Sequence, residues 1–418
     1  MTTERIDRLP ELLAELAAPR RPDYTDTILA RTAGLRQRPA RTFLERILPM
    51  AETTLPGARV SPPLRTFTIA LLLMLLVAAL AIGAFIASRP SRQLPAPFGP
   101  AANGVIPFTT EGDLYAGDPV TGTTRLLVGG PEGDFAPRFS PDGTRVAFLR
   151  EGTGARDGLY VADADGSDPR QINTAPITTM DFAWTPAGDR LAVVHDVGGV
   201  NQLDLFDASR NGSVERIAAA AGLDSLQFRP PDGREILISG HVNGSYGLYA
   251  VNADGTNLRP VLLSTDPESD DYWGGVTYAA DGGRIFYTRP YERERPNGTC
   301  CTLWVMNADG SDQHEFIPST GEAWNGQPTA SPDGTRIAFW HAGAVSTVRA
   351  DGTGSVTETG PALSGTVHWL WAPDSSKILM IQNNAVTAKA YLLDPAGGPW
   401  TNVPWASDAD LDWQRLAP

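Results

Sequence analysis

SPDGTRIAFW, residues 331–340, decides the fold because it returns along the chain. Residues 140–149 read SPDGTRVAFL. Looser copies read TPAGDRLAVV at 185–194, RPPDGREILI at 229–238, AADGGRIFYT at 279–288 and WAPDSSKILMI at 371–381. With Asp142, Ala187, Asp232, Asp281, Asp333 and Asp374 as equivalents, the spacings are 45, 45, 49, 52 and 41. A period of this size marks a repeat architecture. Each copy opens on a tight turn, since Pro sets φ and Gly permits φ > 0. A β-rich run follows. A second run then ends in Asn-Ala-Asp-Gly or a relative, as in GLYVADADG (158–166) and TLWVMNADG (302–310).

Each unit therefore reads as four short strands, a to d. Strand a ends on an aromatic residue at Phe139, Trp184, Phe228, Tyr278 and Trp371, with Ala330 in the fifth copy. Strand b is 144–150 or 335–341, and strand c is 158–163 or 302–307. A four-stranded meander cannot bury both faces alone, whereas a radial ring of such sheets can. The ends of the repeat region supply one more unit. Residues 104–110 read as strand b, 111–128 as strands c and d, and Trp413 lies on a lone strand a. Six complete units and one composite predict an all-β propeller of about seven blades over 104–418, within a range of six to eight.

SPDGTRIAFW (331–340) and LWVMNADGSD (303–312) resemble the TolB-like propeller repeat, a relative of the WD-repeat blade. The resemblance covers about 104–418. It implies the fold and carries no activity, because propellers host many functions.

Charge divides the chain into three parts. The whole has 418 residues and a net charge of −14, which disfavours nucleic acid as a partner. Residues 1–65 have a net charge of +3 and residues 93–418 a net charge of −19. Between them, Thr66 to Ser88 is uncharged and apolar, flanked by Arg65 and Arg89. A helix of that length, about 34 Å, crosses a ~30 Å hydrocarbon core. The arginines favour an N-terminus inside and a C-terminal domain outside a bacterial cytoplasmic membrane. The expected organisation is a partly helical cytoplasmic tail (1–65), a single-pass transmembrane helix (66–88), a Pro-rich linker (89–103) and the propeller. In the tail, apolar stripes such as Ile6, Leu9, Leu13 and Leu16 suit either the membrane surface or a cytoplasmic partner. A helical tail, one membrane helix and an outer domain resemble a membrane-bound anti-sigma factor. The tail lacks the His and Cys of that family's zinc site.

Candidate binding residues cluster at the end of the ring carrying the d–a and b–c loops. Asp134, Asp181, Asp224 and Glu322 belong to the d–a segments. Asp270, Asp271, Tyr272 and Trp273 crowd another, and Trp324, His368 and Trp369 occupy similar places. Acidic groups beside aromatics suit a cationic ligand, a metal or a basic peptide, against the plainer reading of a solvated acidic rim. Cys300 and Cys301 close the longest b–c loop, as a structural bend or a vicinal disulfide. Asp-Ala-Asp-Gly-Ser-Asp at 163–168 has calcium-like spacing, but Asp and Gly are also what a tight turn needs. No nucleophile motif, His-pair metal motif or phosphate loop occurs, so catalytic residues, metal and cofactor are all expected to be none. The sequence ranks a non-enzymatic binding or scaffold module for an envelope protein, peptide or glycan first. A transmembrane regulator comes second, and a propeller hydrolase or lyase third.

Overall fold

The computed structural model describes residues 71–78, 96–152, 157–173, 181–196, 200–209, 214–264, 275–289, 302–317, 325–361, 366–384, 387–405 and 412–417. Two compact units divide at Arg89. In the first, residues 71–78 form a helix whose apolar side chains are exposed. It lies inside the expected 66–88 span; the rest of that span and residues 1–65 lie outside the described residues. No helix among the described residues is long and apolar enough to cross a membrane.

The second unit is a seven-bladed all-β propeller of antiparallel meanders. Blade 1 comprises Gly133–Phe139, Arg145–Glu151, Gly158–Asp163 and Arg170–Asn173. Blades 4, 5 and 6 repeat that order from Val276–Tyr278, Asn325–Ala330 and Thr366–Trp371. Blades 2 and 3 differ from the expected pattern. One 15-residue strand, Val214–Phe228, is the last strand of blade 2 and the first of blade 3, merging them into a seven-stranded sheet. Ala218–Ala221 contains no turn former, so the chain crosses between blades extended. Register shifts at Ala221/Leu223 and Leu223/Ser225 absorb the change of direction.

The seventh blade is composite, as the terminal segments predicted. Ala102 and Asn103 pair with Leu416 and Arg415. Gly104 N donates to Gln414 O and Gln414 N to Val105 O. Ile106–Thr110, Asp113–Gly117 and Thr124–Val128 complete the sheet. The Trp413 ring is buried, and its Nε1 donates to Gly104 O at 3.0 Å. The Gln414 amide reaches blade 1 through Gly143 O at 2.7 Å.

Cohesion lies between blades. Among the described residues the hydrophobic clusters number seven, and each joins consecutive blades around the circle. One packs Leu114 and Leu127 of blade 7 on Val146 and Phe148 of blade 1; another packs Leu379 of blade 6 on Ile106 and Trp413 of blade 7. Alternating residues along each strand therefore feed two different cores. Burying one such side chain stabilises by about 1.5–3 kcal/mol.

The repeated turn is a blade-to-blade contact as well as a reversal. Gly143 N donates to Ser140 O, and Asp142 Oδ1 accepts from Thr144 N and Oγ1. Gly143 sits at φ +68°, and a Cβ there would overlap the carbonyl oxygen of Arg415. Gly282 has the same φ and would meet the carbonyl of Pro230. Gly143→Ala should therefore lose more than the about 1–2 kcal/mol of left-handed strain. Gly122→Ala, at φ +73° with open space around it, should lose only the strain. Urea unfolding of the two variants measures the difference; equal losses would remove the packing role of the repeated glycine.

Candidate functional site

The innermost strands surround the propeller axis, and two of them carry the same irregularity. In blade 1 the ladder jumps from Phe135↔Leu149 to Arg138↔Ala147; in blade 5 it jumps from Gly326↔Trp340 to Thr329↔Ala338. The displaced residues are Ala136-Pro137 and Gln327-Pro328. Pro cannot donate to the ladder, so a strand containing it bulges. Ala136 and Gln327 take φ values of +53° and +55° to make the detour. In blade 4, Gly275 at φ +97° lies against Gln327, where a Cβ would come within 2.7 Å of that residue's Cα.

These segments line a cavity of about 350 Å3, with Arg138, Val276, Thr329 and His368–Leu370 completing the wall. Arg138 is the one charged side chain among the described lining residues, and His368 is exposed. The frame holds the peptide after Arg138 at both of its polar groups. Its carbonyl accepts from Trp184 Nε1 at 2.9 Å, and the next amide, Phe139 N–H, donates to the Asp412 carboxylate. In blade 5 the equivalent carbonyl, Thr329 O, accepts from Trp371 Nε1 at 3.0 Å. The Arg138 guanidinium meets Asp181 at 3.3 Å and lies 5.4 Å from the centre of the Phe182 ring. Its side chain stays 48% exposed. Burial pushes the carboxyls of Asp181 and Asp412 above the usual range, with the Arg138 charge opposing.

Arg138 also lines a second cavity of about 410 Å3 towards the a–b turns, where Pro141, Pro186, Pro230 and Pro332 form part of the rim. Pro97, Phe98 and Gly99 line it too. Phe98, like Ala183 and Leu226, packs against the core between blades 2 and 3, and Arg415 Nη2 holds the carbonyls of Ala96 and Gly99 at 2.9 and 2.7 Å.

The residues expected from sequence divide three ways. Asp181 and His368 stand at or beside the cavity. Trp369 borders it while its ring is buried, donating Nε1 to Thr329 Oγ1 at 3.0 Å and stacking on Trp340 at 6.3 Å. Asp134 is 1% exposed and bound through both oxygens to Arg150 at 2.6 and 2.8 Å. Burial raises its carboxyl, against the pull of Arg150. The Asp224 side chain, Asp270, Asp271, Tyr272, Trp273, Glu322, Trp324, Cys300 and Cys301 lie outside the described residues.

Sequence reasoning passed over Arg138, Gln327 and the two prolines. Their signal was a Pro two residues before the end of strand a, at 137 and 328. It also passed over a latch on strand b. Arg150, His195 and His341 are the fourth residues after Val146, Leu191 and Ile337. Each is held by a buried polar group: Asp134, Asp204 (2.9 Å) and Asn325 (2.6 Å). Among the described residues, no group of three or more His, Cys, Asp or Glu could hold a metal ion.

No family model matches the chain. Over 188 residues it is 29% identical to the Tol-Pal system protein TolB of Anaeromyxobacter dehalogenans, covering 41% of this chain and 40% of that one. Over 86 residues it is 38% identical to the TolB of Alkalilimnicola ehrlichii, covering 20% of each. The chain thus spans two fifths or less of these relatives. A solved oligogalacturonate lyase in complex with manganese shares the fold at 15% identity and a TM-score of 0.53, over 68% of this chain and 82% of that one. The repeat region is a TolB-like β-propeller.

The shifted carboxyls predict a two-sided pH profile. Side-chain and backbone hydrogen bonds from Ser167, Thr256, Ser311 and Thr353 hold Asp165, Asp254, Asp309 and Asp351 below the usual value. These groups stabilise the fold above about pH 4, and that contribution is lost as pH falls further. Asp134, Asp181 and Asp412 have raised values, so their ionisation costs stability and protonation relieves it. Unfolding midpoints in urea should rise slightly on acidification towards about pH 4–5 and fall below it. A midpoint that does not change with pH would contradict both sets.

Proposed function

We propose that this is a membrane-tethered binding protein whose propeller, outside the cytoplasmic membrane, holds a protein or peptide partner at its axial cavity without chemically transforming it. The cavity built by the paired Pro bulges carries this reading. The bulges displace the innermost strands at equivalent places, and the hydrogen bonds of Trp184 and Trp371 fix the residue that follows each. A volume of about 350 Å3 falls in the range of ligand pockets, about 300–1,000 Å3. It suits an extended segment or a chain end rather than a folded domain. The uncharged run 66–88, which includes the exposed helix 71–78, supports the tether.

Two measurements test the proposal. After alkaline carbonate extraction the full chain should stay with the membrane pellet, and a variant lacking 66–88 should be released. A photoreactive residue at His368, exposed beside the cavity, should cross-link a discrete envelope polypeptide in cells. The same probe at Val120, 90% exposed and absent from the cavity wall, should not. Equal cross-linking from both positions would refute the axial site.

A further inference from the structure

The net charge of −19 over residues 93–418 suggests a propeller that attracts cations, yet the charged side chain on the described wall of the axial cavity is a guanidinium, with Asp181 paired to it at 3.3 Å. Its described wall has one charge, the Arg138 guanidinium, and no carboxylate. Around that charge stand Gln327 and Thr329 as polar groups and Pro137, Val276 and Leu370 as apolar ones. One contact at 3.3 Å links Arg138 to Asp181, and a guanidinium has five donors. The peptide that follows Arg138 is already fixed at its C=O by Trp184 and at its N–H by Asp412, so a ligand finds the backbone that carries the side chain in place.

The other end of the axis limits what can enter. Arg138 lines both cavities, and beyond it stands Phe98, on a segment that Arg415 clamps at two carbonyls. A chain entering from the loop end of the ring meets Arg138 first, and Phe98 is part of the wall of the space beyond it. An extended chain that stops at Arg138 puts its end beside the cation.

We infer that the axial cavity receives the C-terminal end of an extended peptide, with the terminal carboxylate on Arg138 and the last side chains against Pro137, Val276 and Leu370. The inference rests on the cavity's being the binding site and adds the chemistry it reads. Arg pairs with a carboxylate through two parallel N–H donors, which selects a planar anion over a neutral amide.

Immobilised full-length protein in detergent is offered dansyl-labelled random heptapeptides lacking Asp and Glu, made as free acids and as C-terminal amides. A third pool is amidated and has one internal Glu. The free-acid pool should be retained at least about tenfold better than either amidated pool, equivalent to about 1.4 kcal/mol. Arg138→Gln should abolish that preference, while Arg138→Lys, which keeps the charge, should retain part of it. Equal retention of all pools, or a preference unchanged in Arg138→Gln, overturns the carboxylate assignment and leaves the binding site standing. Retention of the internal-Glu pool at the free-acid level overturns the terminus in favour of a side-chain carboxylate. Retention of no pool overturns the inference. If the His368 cross-link is also missing, the binding site falls with it.

Discussion

Each blade has two apolar faces and can cover neither by itself, and this constraint organises everything else in the propeller. The partners at hand are the neighbouring blades, so the seven cores among the described residues lie between sheets. A linear stack would leave its first and last sheets bare. Joining Ala102–Asn103 to Arg415–Leu416 removes both ends at once. The closing strand also reaches forward, through Gln414 to Gly143 O and through Asp412 to Phe139 N. Stability of the ring is thus bound to a hydrogen-bonded junction between segments more than 300 positions apart in sequence. Contacts of such separation are entropically expensive to form, and the composite blade is where the propeller meets that cost.

The same closure sets the axial cavity. Seven inner strands pressed together would leave little more than a narrow channel lined by backbone. Pro137 and Pro328 break the ladder in two of them, and Gly275 lets blade 4 approach blade 5 closely. Space appears where pairing is given up. The clasps beside it compensate: a Trp on the next blade donates to the carbonyl beyond each bulge, at Arg138 and at Thr329. The backbone that carries Arg138 is thereby held at the axis by groups that also lock adjacent blades, so preorganising the cavity and closing the ring are one arrangement.

Much of this was legible in the sequence, and the exceptions have physical causes. The turn Pro-Asp-Gly, the aromatic at the end of strand a and the split seventh blade are local signals repeated often enough to read. Strand c of blades 1 and 4 falls at 158–163 and 302–307, as expected. The fusion of blades 2 and 3 was missed because Ala218–Ala221 is a weak strand signal and equally a weak turn signal. Arg138 was missed for a different reason. It occurs in one copy only, between residues that are themselves regular, and its significance depends on what Trp184, Asp412 and Asp181 do around it. Asp134 shows the converse: by position it belongs to an acidic rim, while its actual partner, Arg150, lies across the strand pair.

The acidity itself needs reinterpreting in the same terms. A count of carboxylates suggests a surface field, but many of the described aspartates have a local task. Asp142, Asp165, Asp254, Asp309, Asp333, Asp351 and Asp374 each accept the amide two residues ahead, and most accept a hydroxyl as well. Such a carboxylate is chosen for its two acceptor oxygens in a tight turn, and its charge follows from that choice. Because every blade repeats these turns, negative charge accumulates with blade number whatever the propeller binds. The net charge of the domain therefore carries little information about its ligand. The informative charge is the one that breaks the repeat, and on the described wall of the axial cavity that charge is Arg138.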